Sequence, residues 1–145
     1  MGTPEAAVDA AARIAGGDVE APRQAKDGDL KPLKASGPAR QRRLLVCIDP
    51  TTAGAAEILA AALKRRGATL LGGESYGDTG VRHAQAVAGG QLWLATDWFL
   101  GPDGKPLLGT GIKPDEVVRP RREGDPVLDR ALELAHGQAV LPKAA

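Results

Sequence analysis

Apolar residues near the start of the chain recur at three- and four-residue spacing, which predicts a helix. Thr3 is a suitable N-cap, Pro4 suits the first helical position, and Glu5 favours the positive end of the helix dipole. The glycine pair at 16–17 ends the helix. The residues expected on its buried face are Ala7, Val8, Ala11, Ala12 and Ala15.

An uninterrupted apolar run, Leu44 to Ile48, predicts a strand that is covered on both faces, with Cys47 as a buried small residue. A turn at 49–52 leads into a helix that ends near Arg66, and a second strand follows at 68–71. Strand, helix and strand over about thirty residues form a βαβ unit. We therefore expect the two strands to be parallel.

The second half of the chain predicts an antiparallel hairpin, with strands at 81–88 and 91–100 joined by Gly89-Gly90. A glycine-rich loop at 72–80 precedes it, and a turn at 101–104 and an irregular segment at 109–114 follow. Asp125 and Pro126 predict the start of a final helix. The apolar face of that helix consists of Leu128, Leu132 and Ala135.

Residues 18–43 contain three prolines and two glycines within a basic segment, and they are predicted to form a loop or linker. Between 21 and 43 the local charge is +5. The loop is either a solvated linker or an arm that docks on an acidic partner. The candidate partner-binding residues are Arg23, Lys26, Lys31, Lys34, Arg40, Arg42 and Arg43.

Composition and charge exclude several classes of protein. The 145 residues fit one domain, and the net charge of +1 gives no indication of a nucleic-acid or membrane-surface protein. No apolar run is long enough to cross a bilayer, the single cysteine allows no intrachain disulfide, and residues 1–12 do not resemble a secretory signal. With 26 alanines and 3% aromatic residues, the core has small side chains, so we expect a partner or further chain to stabilise it.

Few residues are suited to catalysis or metal binding. The loop at 72–80 lacks the Lys-Ser/Thr ending of a P-loop, and His83 and His136 have no metal-ligand spacing. No cofactor is expected. The turn from Thr51 to Ala55 enters a helix directly after a strand, as in an oxyanion hole, but it contains no serine. The remaining carboxylates show no paired spacing: Asp49, Glu57, Glu74, Asp78 and Asp97.

From Leu44 onward the chain resembles the carboxyl-terminal processing, or tail-specific, proteases. Four segments carry the resemblance: the helix sequence at 52–63, the loop at 73–77, the strand and turns at 92–115 with their Gly-Ile-Lys-Pro-Asp motif, and the helix at 125–132. The segment 2–17 matches the family's helix after a Gly-Gly turn. The resemblance implies an α/β fold, a partial ClpP/crotonase-like core with a βαβ unit, an antiparallel hairpin and a C-terminal helix.

The resemblance also implies that the catalytic Ser–Lys dyad is absent. The family's serine falls on Gly54, and its lysine falls on Asp78 or Thr79. Ala55 would supply one N–H of an oxyanion hole, and the other half falls at or before Met1. We therefore expect a single protease-like domain over residues 1–145 that lacks the family's first strands and PDZ module.

These features favour a catalytically inactive, structural or protein-binding subunit of a larger assembly, with an unpaired sheet edge for a partner strand. By resemblance it would be periplasmic or otherwise extracytoplasmic. Nucleic-acid partners and membrane-spanning segments are not expected, although a protein partner could itself be a membrane protein. A second hypothesis is a hydrolase that uses a partner chain or unusual residues, namely Ser75, Thr52, His83 or Asp78. A third is a binder of anionic surfaces through the basic segment.

Overall fold

The computed structural model describes residues 2–40 and 42–137, which contain three helices and eight strands. The elements are α1 (Pro4–Ala15), β1 (Gly17–Ala21), β2 (Arg23–Ala25), β3 (Leu33–Gly37), β4 (Leu45–Ile48), α2 (Ala55–Arg65), β5 (Thr69–Gly72), β6 (Gly80–Val87), β7 (Gly90–Phe99), β8 (Glu116–Val117) and α3 (Pro126–His136). Strands β1 and β3 pair with each other. The order is β2-β7-β6 in the hairpin sheet and β4-β5-β8 in the parallel sheet. The predicted α/β fold class is confirmed.

Helix α1 begins and ends where the sequence predicts. The Thr3 hydroxyl accepts a hydrogen bond from the Ala6 N–H (3.2 Å), and Gly16 forms the C-cap with φ of +75°. All five residues predicted for its buried face are buried. Helix α1 packs on α2 and β3, and the chain's one phenylalanine, Phe99, is almost completely enclosed in the same core. The core is therefore one aromatic side chain surrounded mainly by small ones.

The βαβ unit has the predicted topology. Strands β4 and β5 are parallel, with Val46 opposite Leu70, and α2 connects them. Helix α2 buries Ile58 and Leu63 toward the core. Strand β8 adds to the other edge of β5, also in parallel. This arrangement brings the carboxyl ends of β4 and β5 together, and the candidate site lies at that end.

The hairpin is also confirmed, with a small shift in its turn. Val87 pairs with Gly90, so the turn is Ala88-Gly89, one residue before the predicted pair. A β-bulge lies between Val81 and Arg82. At its base the hairpin joins the body through Phe99 and through the pairing of β2 with 97–99.

The prediction of a loop over residues 18–43 was wrong, because β1, β2 and β3 lie there. Along β1 the buried residues Val19 and Ala21 alternate with exposed Asp18 and Glu20, which is the period of a half-buried strand. The prolines lie between the strands, at 22, 32 and 38. The turn-forming residues therefore separate three short strands, and basic side chains such as Lys34 lie on their solvent side.

One predicted burial was also wrong, and one predicted apolar face is uncovered. Cys47 is exposed, because β4 is an edge strand in which Ile48 is the buried residue. On α3 the predicted apolar face is exposed, with Leu128 and Leu132 at 49% and 46%, while Ala131 is buried. Periodicity identifies an apolar face correctly but does not establish that another element covers it. The residues 138–145 and Met1 lie outside the described part of the chain.

The close approach of α1 to β3 can be tested at Gly37. A Cβ there would lie 2.0 Å from the Ala12 carbonyl oxygen, so Gly37→Ala must displace the helix. We expect a loss of about 2 kcal/mol in the free energy of unfolding, measured by urea denaturation. Gly90→Ala is the control, because nothing lies within 4 Å of a Cβ at that position. Equal effects of the two changes would contradict the close packing.

Candidate functional site

The candidate site begins at the turn between β4 and α2. The Asp49 carboxylate accepts hydrogen bonds from the N–H groups of Thr51 (2.8 Å) and Thr52 (2.9 Å) and from both hydroxyls. The side-chain bond from Thr51 and the further bonds from this turn hold the pKa of Asp49 below its ordinary value. A charged Asp49 therefore fixes the path by which the chain enters the helix.

Gly54 ends this turn in a conformation that favours glycine. Its φ and ψ are +59° and −122°, and Ala55 is the first residue of α2. A Cβ on Gly54 would meet the Asp78 carbonyl oxygen at 3.6 Å, which is an ordinary contact. The structure thus brings Gly54 and Asp78, which are 24 positions apart in sequence, to neighbouring positions.

A second helix begins close to the same point. A Cβ on Gly2 would lie 3.4 Å from the Ala55 methyl group, so the segment leading into α1 adjoins the first residue of α2. The first N–H groups of a helix have no intrahelical acceptor. The amino ends of α1 and α2 therefore lie next to each other, and Met1 lies outside the described residues.

Glu57 is the buried centre of the site. Its side chain is completely buried and accepts four hydrogen bonds. On its own helix the donor is the Gly54 N–H (3.0 Å), and from the loop after β5 the donors are the Ser75 hydroxyl (2.5 Å) and the N–H groups of Gly77 (2.6 Å) and Asp78 (2.9 Å). One carboxylate thus holds the helix start and the facing loop in fixed relation.

Ser75 extends this network to the Gly-Ile-Lys-Pro-Asp segment. Its Oγ donates to Glu57 and accepts from the Ile112 N–H (2.8 Å), so both capacities of the hydroxyl are used. Gly111, with φ of +67°, permits the close contact between this segment and the Ser75 backbone, because a Cβ there would lie 2.3 Å from the Ser75 carbonyl oxygen. Ser75 is therefore a buried structural residue of the loop.

Asp115 anchors the end of the same segment. Its carboxylate accepts from the Leu70 N–H (2.9 Å) and pairs with Lys64 at 2.8 Å. Partial burial by itself raises the pKa of Asp115, but the bond from Leu70 and the bond and charge of Lys64 outweigh it and leave that pKa lowered. The ion pair connects the last turn of α2 to the segment before β8.

The two residues at which the family's lysine could fall have different surroundings. The Asp78 carboxylate pairs with Arg82 at 2.8 Å, and both groups are partly exposed. Thr79 is buried, and its hydroxyl has no hydrogen-bond partner among the described residues. Asp78 is also the residue whose backbone contacts Gly54. Asp78 therefore lies beside the turn, and Thr79 lies inside the protein.

The other predicted candidates lie apart from one another. The Thr52 hydroxyl is bound to Asp49, and His83 lies on the hairpin with its Nε2 3.8 Å from Asp97. Partial desolvation and, after it, the charge of Asp125 raise the pKa of the surface-exposed Cys47 thiol. His136 lies at the end of α3. Within residues 2–40 and 42–137, no cluster of acidic, histidine or cysteine side chains could hold a metal ion.

The basic residues of 23–43 spread over β2, β3 and the segments between them. Two of them face carboxylates: Arg23 lies 3.6 Å from Asp97, and Lys34 lies 3.4 Å from Glu20. The rest are exposed, namely Lys26, Lys31, Arg40, Arg42 and Arg43.

Comparison with known proteins identifies the family. Residues 2–118 match the profile of Peptidase family S41. The chain belongs to that family. A carboxy-terminal-processing protease of Bartonella bacilliformis is 36% identical over 80 residues, which are 54% of this chain and 18% of that protein. This family membership confirms the resemblance seen in the sequence.

Solved structures agree on the fold. The photosystem II D1 C-terminal processing protease superposes with a TM-score of 0.69 at 24% identity, over 83% of this S41 chain and 32% of that one. A protein of Parabacteroides merdae superposes with a TM-score of 0.76 at 18% identity, over 97% of this S41 chain and 50% of that one. A lipoprotein of Streptococcus agalactiae superposes with a TM-score of 0.66 at 19% identity, over 95% of this S41 chain and 49% of that one. The S41 chain thus spans half or less of the length of each of these proteins.

The main residue that sequence reasoning missed is Glu57, which looked like one of several scattered carboxylates. A glutamate at the third position of a helix commonly accepts from the N-cap N–H, and Glu57 does so at Gly54. That spacing was visible in the sequence. The three donors from the loop after β5 were not, because they reach Glu57 only through the tertiary fold.

Replacing Glu57 should therefore destabilise the S41 chain severely. In Glu57→Gln an amide NH₂ replaces one acceptor oxygen and faces backbone N–H groups, so buried donors lose their partner. We expect a loss of about 3 kcal/mol in the free energy of unfolding, measured by urea denaturation. Glu74→Gln, at an exposed position of the same loop, should change it by less than about 0.5 kcal/mol. Similar losses in both variants would refute the role of Glu57.

The lowered pKa of Asp115 predicts a pH-dependent contribution to stability. A carboxyl group with a depressed folded-state pKa stabilises the fold above its unfolded value of about 4 and loses that effect as the pH falls. Asp115→Asn should thus lower the free energy of unfolding at pH 6 and have little effect near pH 3, measured by urea titrations at each pH. Lys64→Gln should also lower the free energy of unfolding at pH 6, but by less, because the hydrogen bond from the Leu70 N–H to Asp115 remains. A loss that is equal at all pH values would contradict this account.

Proposed function

We propose that this S41 chain is a catalytically inactive member of its family that acts as a structural or protein-binding component of an assembly. The observation that carries the proposal is Gly54. By the family resemblance Gly54 occupies the position of the nucleophilic serine, at the entrance of α2. A glycine has no side chain that can attack a carbonyl carbon.

The surroundings of Asp78 support the proposal. Asp78 is the neighbour of Gly54, so we assign it, rather than Thr79, to the position of the family's lysine. An amine base must be neutral to take a proton from a hydroxyl group. Asp78 is a carboxylate that pairs with Arg82, and it has no hydroxyl to activate at Gly54. Both members of the dyad are thus replaced within an otherwise ordered site.

The preserved packing supports a binding role. The Glu57 network and the Asp115–Lys64 pair hold the site together although neither performs chemistry. Strand β4 is an edge of the parallel sheet among the described residues, and an open edge is a template for a partner strand.

We propose an extracytoplasmic location, because the relatives include a carboxy-terminal-processing protease and a lipoprotein. Within the described residues, no helix has the length and apolar character needed to span a bilayer.

The alternative is a hydrolase that uses other residues or a partner chain. Of the four candidates in this chain, Ser75 is buried with its hydroxyl proton donated to Glu57, and the Thr52 hydroxyl donates to Asp49. The geometry thus favours the binding role. Binding to anionic surfaces through the basic segment is a third candidate, and it is weakened by the carboxylates that face Arg23 and Lys34.

The loss of catalysis can be tested with the purified 145-residue chain. We expect no cleavage of unstructured peptides, followed by mass spectrometry, and no labelling by a fluorophosphonate probe. An S41 peptidase that retains its Ser–Lys dyad serves as the positive control in the same buffer. Cleavage by the chain that falls after Asp78→Ala or Ser75→Ala would overturn the proposal in favour of the alternative.

A further inference from the structure

The hairpin β6–β7 extends beyond the body of the protein. We name residues 84–96 the distal arm. Every residue from 84 to 95 is exposed, among them Val87 at 51%, Leu92 at 49%, Trp93 at 62% and Leu94 at 44%. An isolated two-stranded hairpin is at best marginally stable in water, and a third strand or a packed face is normally required. Among the described residues the distal arm has neither a third strand nor a packed face, so we expect a further contact to stabilise it.

Apolar side chains lie on both faces of the distal arm. Leu94 is opposite His83 and Leu92 is opposite Gln85, whereas Trp93 is opposite Ala84. Opposed residues of an antiparallel pair share a face, and neighbours along a strand lie on opposite faces. The two leucines thus lie on one face and Trp93 on the other. A partner that stacks on one face of the distal arm would cover either the two leucines or Trp93. Strands added at an edge extend both faces of the sheet.

The longer free edge of the hairpin lies along β6, because β7 is paired with β2 at 97–99 and is open only toward its turn. Strand β7 has β2 beside its base, and the Lys26 N–H donates to the Thr96 carbonyl oxygen (2.8 Å). No strand of the described residues pairs with the outer edge of β6, which runs from Gly80 to Val87. Strand β6 therefore offers an open edge of eight residues.

The distal part of this edge lacks the usual protection against pairing. Exposed edges are commonly protected by lysine, proline, inward-pointing charges or bulges. The distal arm has no charged residue and no proline in thirteen positions, and the one bulge lies at its base, next to Arg82. Arg82 in turn is paired with Asp78.

We propose that the outer edge of β6 pairs antiparallel with β6 of a second copy of this chain. A two-fold axis near Ala84–Ala86 would join two three-stranded hairpin sheets into one of six strands. The strand order becomes β2-β7-β6 followed by β6-β7-β2 of the second copy. Each distal arm then has a hydrogen-bonded strand along its β6 edge and is no longer a two-stranded hairpin.

The absence of charge favours a second copy over an unrelated protein. In a two-fold contact each residue near the axis meets itself or a near neighbour, so a charged residue there would meet a like charge. Ala84, Gln85 and Ala86 avoid that repulsion, and their small or neutral side chains leave room for the facing strand. The inference does not depend on the loss of catalysis and can fail separately from it.

The mass of the full chain in solution tests the proposal. Sedimentation equilibrium at about 1–100 µM should show wild-type protein with twice the mass of one chain. Ala84→Glu and Ala84→Lys should each shift the protein to single chains, because like charges meet near the axis. An equimolar mixture of these two variants should recover the double mass. Circular dichroism checks that both variants fold.

Leu132→Glu is the matched control, because Leu132 is a comparably exposed apolar residue on α3. It should leave the assembly unchanged. A wild-type chain that stays single throughout the concentration range would overturn the proposal. So would a dimer that survives both Ala84 changes, or one that Leu132→Glu disrupts while the Ala84 variants do not. Failure of the mixture to recover the double mass would exclude pairing across an axis near Ala84–Ala86.

Discussion

The arrangement of the site depends on one buried carboxylate. Glu57 is completely enclosed, and a buried charge is tolerated only when hydrogen bonds replace its water. Here the four donors come from the turn before α2 and from the loop after β5. The carboxyl ends of two parallel strands are thereby fixed in one geometry. Through Ser75 the same carboxylate also positions the segment at Ile112.

The residues that hold the site and those that would perform chemistry are different groups of side chains. Glu57, Ser75 and Asp115 form the supporting network, and all three keep their hydrogen bonds. Gly54 and Asp78 contribute to that network chiefly through backbone N–H groups. The framework therefore depends on the backbone at these two positions and on the side chains of Glu57, Ser75 and Asp115.

The features that the sequence predicts well are local ones. The cap at Thr3, the stop at Gly16 and the βαβ unit follow from the spacing of nearby residues, and the structure has all of them. The strands within 18–43 were missed because each is short and prolines lie close to them. The exposure of Leu128, Leu132 and Cys47 and the role of Glu57 were missed for another reason. They depend on which distant segments cover or reach those positions.

The backbone at Gly54 determines how readily a side chain can be introduced at the entrance of α2. With φ at +59°, a residue that carries a Cβ is strained there by about 1–3 kcal/mol, whereas glycine is relaxed. A serine introduced here therefore starts from a less stable fold unless the turn moves to a negative φ. Engineering a nucleophile at this position is thus a problem of the backbone before it is one of the side chain.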